Sequence, residues 1–128
     1  MSSKTIHSIV IDVTIRFRED LSNPEAENYF YNYEITIENK SEYRVQLLKR
    51  YWRIDHLTIG SNIVTGDGVV GEQPILEPNQ SFDYMSGCEI WNSIGRMTGY
   101  YTFKNLDTGD HFSVAIPEFK LIFPPLLN

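Results

Sequence analysis

The sequence predicts an all-β chain, folded as a two-sheet sandwich of seven to eight antiparallel strands. Three observations predict it. Apolar and polar residues alternate with a period of two through most of the apolar segments, and β-branched and aromatic residues dominate them. Turn residues recur at a spacing of roughly 8–12 positions. No stretch keeps apolar residues at i, i+3, i+4 and i+7 without a glycine or proline breaking it, so no amphipathic helix is expected. A small closed barrel fits the same strand pattern and is the alternative.

The elements follow in order. Ile9, Ile11, Val13, Ile15 and Phe17 share one face, with Asp12, Thr14 and Arg16 on the other, which predicts a strand with one buried face. An acidic loop with Pro24 follows. Tyr29, Tyr31, Tyr33, Ile35 and Ile37 mark the second strand, and Asn39-Lys40-Ser41 the turn after it. The third strand runs from Val45 to about His56. Its alternation slips between Leu47 and Leu48, the phase change of a β-bulge. Beyond the slip, Leu48, Arg50, Trp52 and Ile54 share one face, and Lys49, Tyr51, Arg53 and Asp55 the other.

A long turn-rich connection with Gly60, Gly66, Gly68, Gly71, Pro74 and Pro78 comes next. Phe82, Tyr84 and Cys88 mark a strand ending near Gly87, and Ile94-Gly95-Arg96 reads as a turn. Met97, Gly99, Tyr101 and Phe103 alternate in another strand, and Asp107-Thr108-Gly109 turns the chain into a strand from His111 to Ile116. Pro117 is expected to stop that strand. Phe119, Leu121 and Phe123 alternate once more before an apolar tail, which is expected to dock on its own sandwich or on a partner.

The totals bound the function. A chain of 128 residues reads as one domain, residues 1–128, able to bury a core without metal or disulfide. Cys88 is the only cysteine, which suits a reducing compartment and excludes an intrachain disulfide. The N-terminal residues lack the apolar region of a signal peptide, and no apolar run is long enough to span a bilayer, so the cytoplasm is expected. A net charge of −6 argues against nucleic acid and against anionic membrane.

Gly66-Asp67-Gly68-Val69-Val70-Gly71 matches the dinucleotide fingerprint by letter. In that fingerprint the glycines open a helix, whereas Val69-Val70 and the following Glu72-Gln73-Pro74 do not start one. Two readings stand: an anion-binding nest of backbone N–H groups, which Asp67 would oppose, or a structural turn. Arg44, Lys49, Arg50 and Arg53 form the densest basic cluster. On a strand, Lys49, Tyr51 and Arg53 make a stripe that either receives an anion beside the glycine loop or is an ordinary solvated face. Arg50, on the Trp52 face, reads as a partly buried ion pair.

No metal site is expected, since His7, His56 and His111 are far apart and the carboxylates match no calcium loop. No nucleophile elbow, P-loop or H-E-x-x-H pattern occurs. Cys88 reads as a small buried hydrophobe. Trp91 lies in a loop, either exposed or folded back onto the core. No catalytic residue and no cofactor are assigned. Self-association through an edge strand is compatible with the pattern.

Taken together, Val45-Gln46-Leu47-Leu48-x-Arg50-x-Trp52-x-Ile54, Gly66-x-Gly68-Val69-Val70-Gly71-x-Gln73-Pro74, Ser86-Gly87, Gly95-x-Met97-x-Gly99-x-Tyr101 and Phe112-x-x-x-Ile116-Pro117-x-Phe119-x-Leu121 resemble the bacterial ApaG family. The resemblance covers nearly the whole chain, with small departures at Met85 and Trp91. It implies a fibronectin type III-like (immunoglobulin-like) sandwich and kinship with domains of F-box and polymerase-delta-interacting proteins. It further implies a protein-interaction module, with a protein partner and a link to Co²⁺ and Mg²⁺ efflux. That link is indirect on physical grounds, because a chain without a span cannot carry an ion across a bilayer. The resemblance also implies pyrophosphate, or a nucleotide containing it, at Gly66, Gly68 and Gly71.

Overall fold

The structure, a computed structural model, describes residues 2–6 by their backbone and residues 8–127 in full. It is a sandwich of two antiparallel sheets. The first sheet holds β1 (Ser2–Ile6), β2 (Ile9–Phe17), β3 (Tyr29–Asn39) and β7 (Ser81–Ile90), in the order β1-β2-β3-β7. The second holds β4 (Val45–His56), β5 (Gly60–Asp67), β8 (Ile94–Asn105) and β9 (His111–Ile122), in the order β5-β4-β8-β9. The short β6 (Ile75–Leu76) pairs with the start of β4.

The alternation of β3 is realised as expected, and that of β2 as far as Val13, beyond which Ile15 is exposed and Phe17 half-buried. Ile9, Ile11 and Val13 pack with Tyr29, Tyr31, Tyr33, Ile35 and Ile37 in the core. Trp52 supplies the centre of the second sheet's inner face, edge-on to Tyr33, Tyr101 and Phe119 at 5.6, 6.4 and 5.9 Å between ring centroids. The Tyr84 and Tyr101 hydroxyls hydrogen-bond to each other between the sheets. Buried Asn39 is fully used: its amide donates to the carbonyls of Tyr43 and Leu76, and its side-chain oxygen accepts from Ser41.

The phase slip in β4 is a bulge. Leu47 pairs with Phe103 and Lys49 with Thr102, which leaves Leu48 as the extra residue. Val45 and Leu47 point inward before it, and Trp52 and Ile54 after it.

Three expectations about individual segments are corrected. The stretch Gly60–Asp67 is a strand rather than a connection. As an edge strand it is solvated on both faces, so it carries no period-two apolar pattern, and pairing with β4 alone makes it extended. The supposed turn Ile94-Gly95-Arg96 is the start of β8. Gly95 points inward, where the Asp55 carbonyl and Ile90 leave no room for a side chain. Pro117 does not end β9. It falls in a second bulge on an edge strand, between the pairs Met97–Phe119 and Gly99–Ile116, where no ladder N–H is needed.

The C-terminal tail docks in part. Phe123 packs on Phe17 and Tyr29 at 5.4 and 5.1 Å, while Leu126 and Leu127 stay exposed.

Candidate functional site

Because the bulge turns Trp52 inward, Lys49, Tyr51 and Arg53 all stand on the outer face of the second sheet. Tyr51 stacks on its cross-strand neighbour Tyr100, at 4.8 Å and 13° between planes. Lys49 lies opposite Asp67, and no ion pair to Lys49 forms among the described residues. With Gly66, Asp67, Tyr100 and Thr102, Lys49 and Tyr51 line a depression of about 290 Å³. The structure therefore brings one end of the glycine motif to the basic and aromatic stripe. Arg53 points elsewhere and binds Asp55 at 2.9 Å.

The glycine motif divides in two. Gly66 and Asp67 are the last residues of β5, and Gly68 through Glu72 form a tight reversal. Gly68 (φ 62) and Gly71 (φ 81) take left-handed conformations, as does Val70 (φ 43), which is unusual for a β-branched residue. Only glycine fits at position 68, because an added Cβ would run into the Glu72 carbonyl.

The amides of Gly68, Val69 and Glu72 donate to the carbonyls of Leu48, Glu72 and Val69, at 2.8, 2.8 and 2.9 Å. Three of the N–H groups that a nest needs are thus already bonded within the protein. Arg50 forms no ion pair among the described residues. Its guanidinium lies against Gly66 and donates to the carbonyls of Asp67 and Gly68, both at 3.0 Å. The Gln73 side chain completes the clamp by donating to the Leu48 carbonyl at 2.9 Å.

Of the three histidines, His7 lies outside the described residues. His56 spends both ring nitrogens locally, with Nδ1 accepting from the Trp91 amide at 3.2 Å and Nε2 donating to Asn62 Oδ1 at 3.1 Å. Among the described residues no group of three or more His, Cys, Asp or Glu is placed to hold a metal ion. No helix among them is long and apolar enough to cross a membrane. Cys88 is buried, and burial pushes its thiol up to about 12.

One surface was missed by sequence reasoning. The β4–β5 hairpin turns at Leu57-Thr58-Ile59, beside the loop 91–93. Asn92 ties the two together, accepting from the Thr58 amide at 3.1 Å and donating to its hydroxyl at 3.0 Å. Leu57, Ile59 and Trp91 are 64%, 60% and 47% exposed at this tip. Beside it Leu57, Ile94 and Ile122 line a depression of about 420 Å³ rimmed by Asp55, Arg96 and Lys120. The only signal in the sequence was Trp91 in a polar loop.

Comparison with known proteins decides the family. The model of the ApaG domain matches residues 19–105. Protein ApaG of Mesorhizobium japonicum is 44% identical over 119 residues, covering 89% of this chain and 88% of its own. Protein ApaG of Nitrosomonas europaea is 43% identical over the full length of both chains.

The chain belongs to the ApaG family.

A crystal structure named for the ApaA protein of Bordetella pertussis superposes with a TM-score of 0.86 at 35% identity, over 91% of this chain and 94% of that one. The sandwich of this ApaG-family chain is therefore shared with a solved relative.

Asp55 anchors the polar network on the outer face. Its carboxylate accepts from the Ser61 hydroxyl, from Arg53 and from Arg96, the last at 3.0 Å, and these hold it at about 2. A carboxyl held below its unfolded value stabilises the fold above that value, and the contribution is lost as pH falls through the folded one. Asp55→Asn should therefore melt below the unsubstituted chain at neutral pH. Calorimetry should show the gap closing between pH ~4 and pH ~2. A gap that is constant over that range would contradict this assignment.

Proposed function

We propose that this ApaG-family chain is a non-catalytic interaction module that meets a partner protein with the tip of its β4–β5 hairpin. The observation carrying this reading is the cluster of Leu57, Ile59 and Trp91, exposed together next to an apolar depression with a charged rim. That anatomy, an apolar centre inside a polar ring with an aromatic anchor, is the one interfaces use. Burying three such side chains is worth at most ~5–9 kcal/mol, which barely covers the cost of association, so the contact must extend onto the rim. The buried, un-ionised Cys88 supports the non-catalytic part. In this reading any contribution to Co²⁺ and Mg²⁺ homeostasis is indirect, exercised through the partner in the cytoplasm.

Affinity purification from cells should test it with the unsubstituted chain and a Leu57→Ser, Ile59→Ser, Trp91→Ser variant. Exposed positions of this kind alter stability by only about 0.5 kcal/mol, so the variant should fold. Specific co-purifying proteins should be recovered by the first and lost by the second. An identical set from both, or background alone from both, would count against the tip.

A second reading, a nucleotide pyrophosphate held beside the glycine loop, is favoured by one observation: Lys49, with no ion pair among the described residues, next to the Tyr51–Tyr100 stack. Here Lys49 and not the loop amides would meet the anion. Calorimetry with pyrophosphate and diadenosine tetraphosphate should give heat that Lys49→Ala abolishes, and no heat with either ligand would refute it.

A further inference from the structure

We propose that two copies of this chain join edge to edge through β5, antiparallel and centred on Val64, to make one continuous sheet. β5 is an edge of the second sheet, and no described strand pairs with its outer side. The Gly68 amide donates to the Leu48 carbonyl, which sets the phase of the β4–β5 ladder. By the alternation of an antiparallel ladder, Asn62, Val64 and Gly66 bond to β4, whereas Ser61, Ile63 and Thr65 turn their N–H and C=O groups to the free edge. Ile63 and Val64 are 50% and 39% exposed there.

Two of the other free edges carry features that discourage pairing. β9 has the Pro117 bulge with Glu118 and Lys120, and β7 has Asp83 and Glu89. Between Gly60 and Gly66, β5 has no charge, no proline and no bulge. β5 is itself extended and, from Gly60 to Gly66, uncharged, so a second copy of it can lie along this edge without a charge clash. With Val64 on the two-fold axis, Val64 faces the partner's Val64 and Ile63 faces the partner's Thr65, which are β-branched pairs. Asp67 falls beside the partner's Ser61, so no like charges meet.

The nearest cations to the axis are the two Arg53 side chains. They are rooted on strands three spacings, about 14 Å, apart, and each is already neutralised by Asp55. The paired segment ends at Gly60 and leaves the Leu57–Ile59 tip outside it. Edge pairing therefore stands or falls separately from partner binding at the tip.

Sedimentation of the full chain over a concentration series should show the mass rising from one chain to two. Thr65→Pro removes only an outward-facing N–H, so it should keep the circular dichroism of the fold and stay at the mass of one chain. Val64→Cys, at a non-hydrogen-bonded pair with Cα atoms about 4.5 Å apart, should form a disulfide-linked dimer on mild oxidation, and Ser61→Cys should not. A single-chain mass at every concentration would overturn the proposal. So would a dimer that Thr65→Pro leaves intact, or one that Val64→Cys fails to cross-link.

Discussion

One extra residue, Leu48, organises the second sheet. Without a change of phase, a strand that points Val45 and Leu47 inward would continue with Lys49, Tyr51 and Arg53 inward, and three polar side chains would enter the core. The bulge moves Arg50, Trp52 and Ile54 to the inner face instead. It also leaves the Leu48 carbonyl free of the β8 ladder, and that oxygen receives both the Gly68 amide and the Gln73 side chain. The same irregularity thus sets the facing of the strand and the anchor of the glycine loop. Bulges of this sort are structural devices and not defects.

From that constraint the two faces acquire their characters. Inside, Trp52 fills the space between Tyr33, Tyr101 and Phe119, and Arg50 sits at the margin of the core, where its guanidinium holds two loop carbonyls. Outside, cations and anions cross-link over four strands, from Ser61 through Asp55 and Arg96 to Glu118. The glycine loop is fastened at both ends by β4, through the Gly68 amide and the Gln73 side chain, and its Val69 and Glu72 amides bond to each other's carbonyls. It is better suited to shaping the side of a shallow depression than to wrapping a phosphate. Exposed apolar surface is left where packing stops: at the hairpin tip and along the β5 edge.

Strands with one buried face were legible because burial writes a period of two into the sequence. β2, β3 and the two halves of β4 were read correctly, and the slip at Leu48 showed as a broken alternation. β5 could not be read that way, since a strand solvated on both sides has no reason to alternate. Gly95 and Pro117 misled for a related reason. Both residues usually punctuate a chain, but here Gly95 makes room for a neighbouring backbone, and Pro117 occupies a bulge where its missing N–H goes unneeded. The candidate site was half legible. Lys49, Tyr51 and Gly66 do converge, but Arg53 belongs to Asp55, and Arg50 proved to be a clamp on carbonyls. Leu57 and Ile59 gave no warning, because an exposed apolar pair in a hairpin turn looks in sequence like the flank of a buried strand.

Leu48 acts as both anchor and phase-setter, and native-state hydrogen exchange on a chain lacking Leu48 tests that double role most directly. Removing that residue restores regular alternation, with Arg50 and Trp52 still inward and Lys49 and Tyr51 still outward. The β4–β8 amides should therefore keep their slow exchange, while the Gly68 amide, deprived of its acceptor, should lose its protection. If Gly68 exchanges as slowly as before, or if the whole second sheet opens with it, the bulge does not hold the role assigned to it.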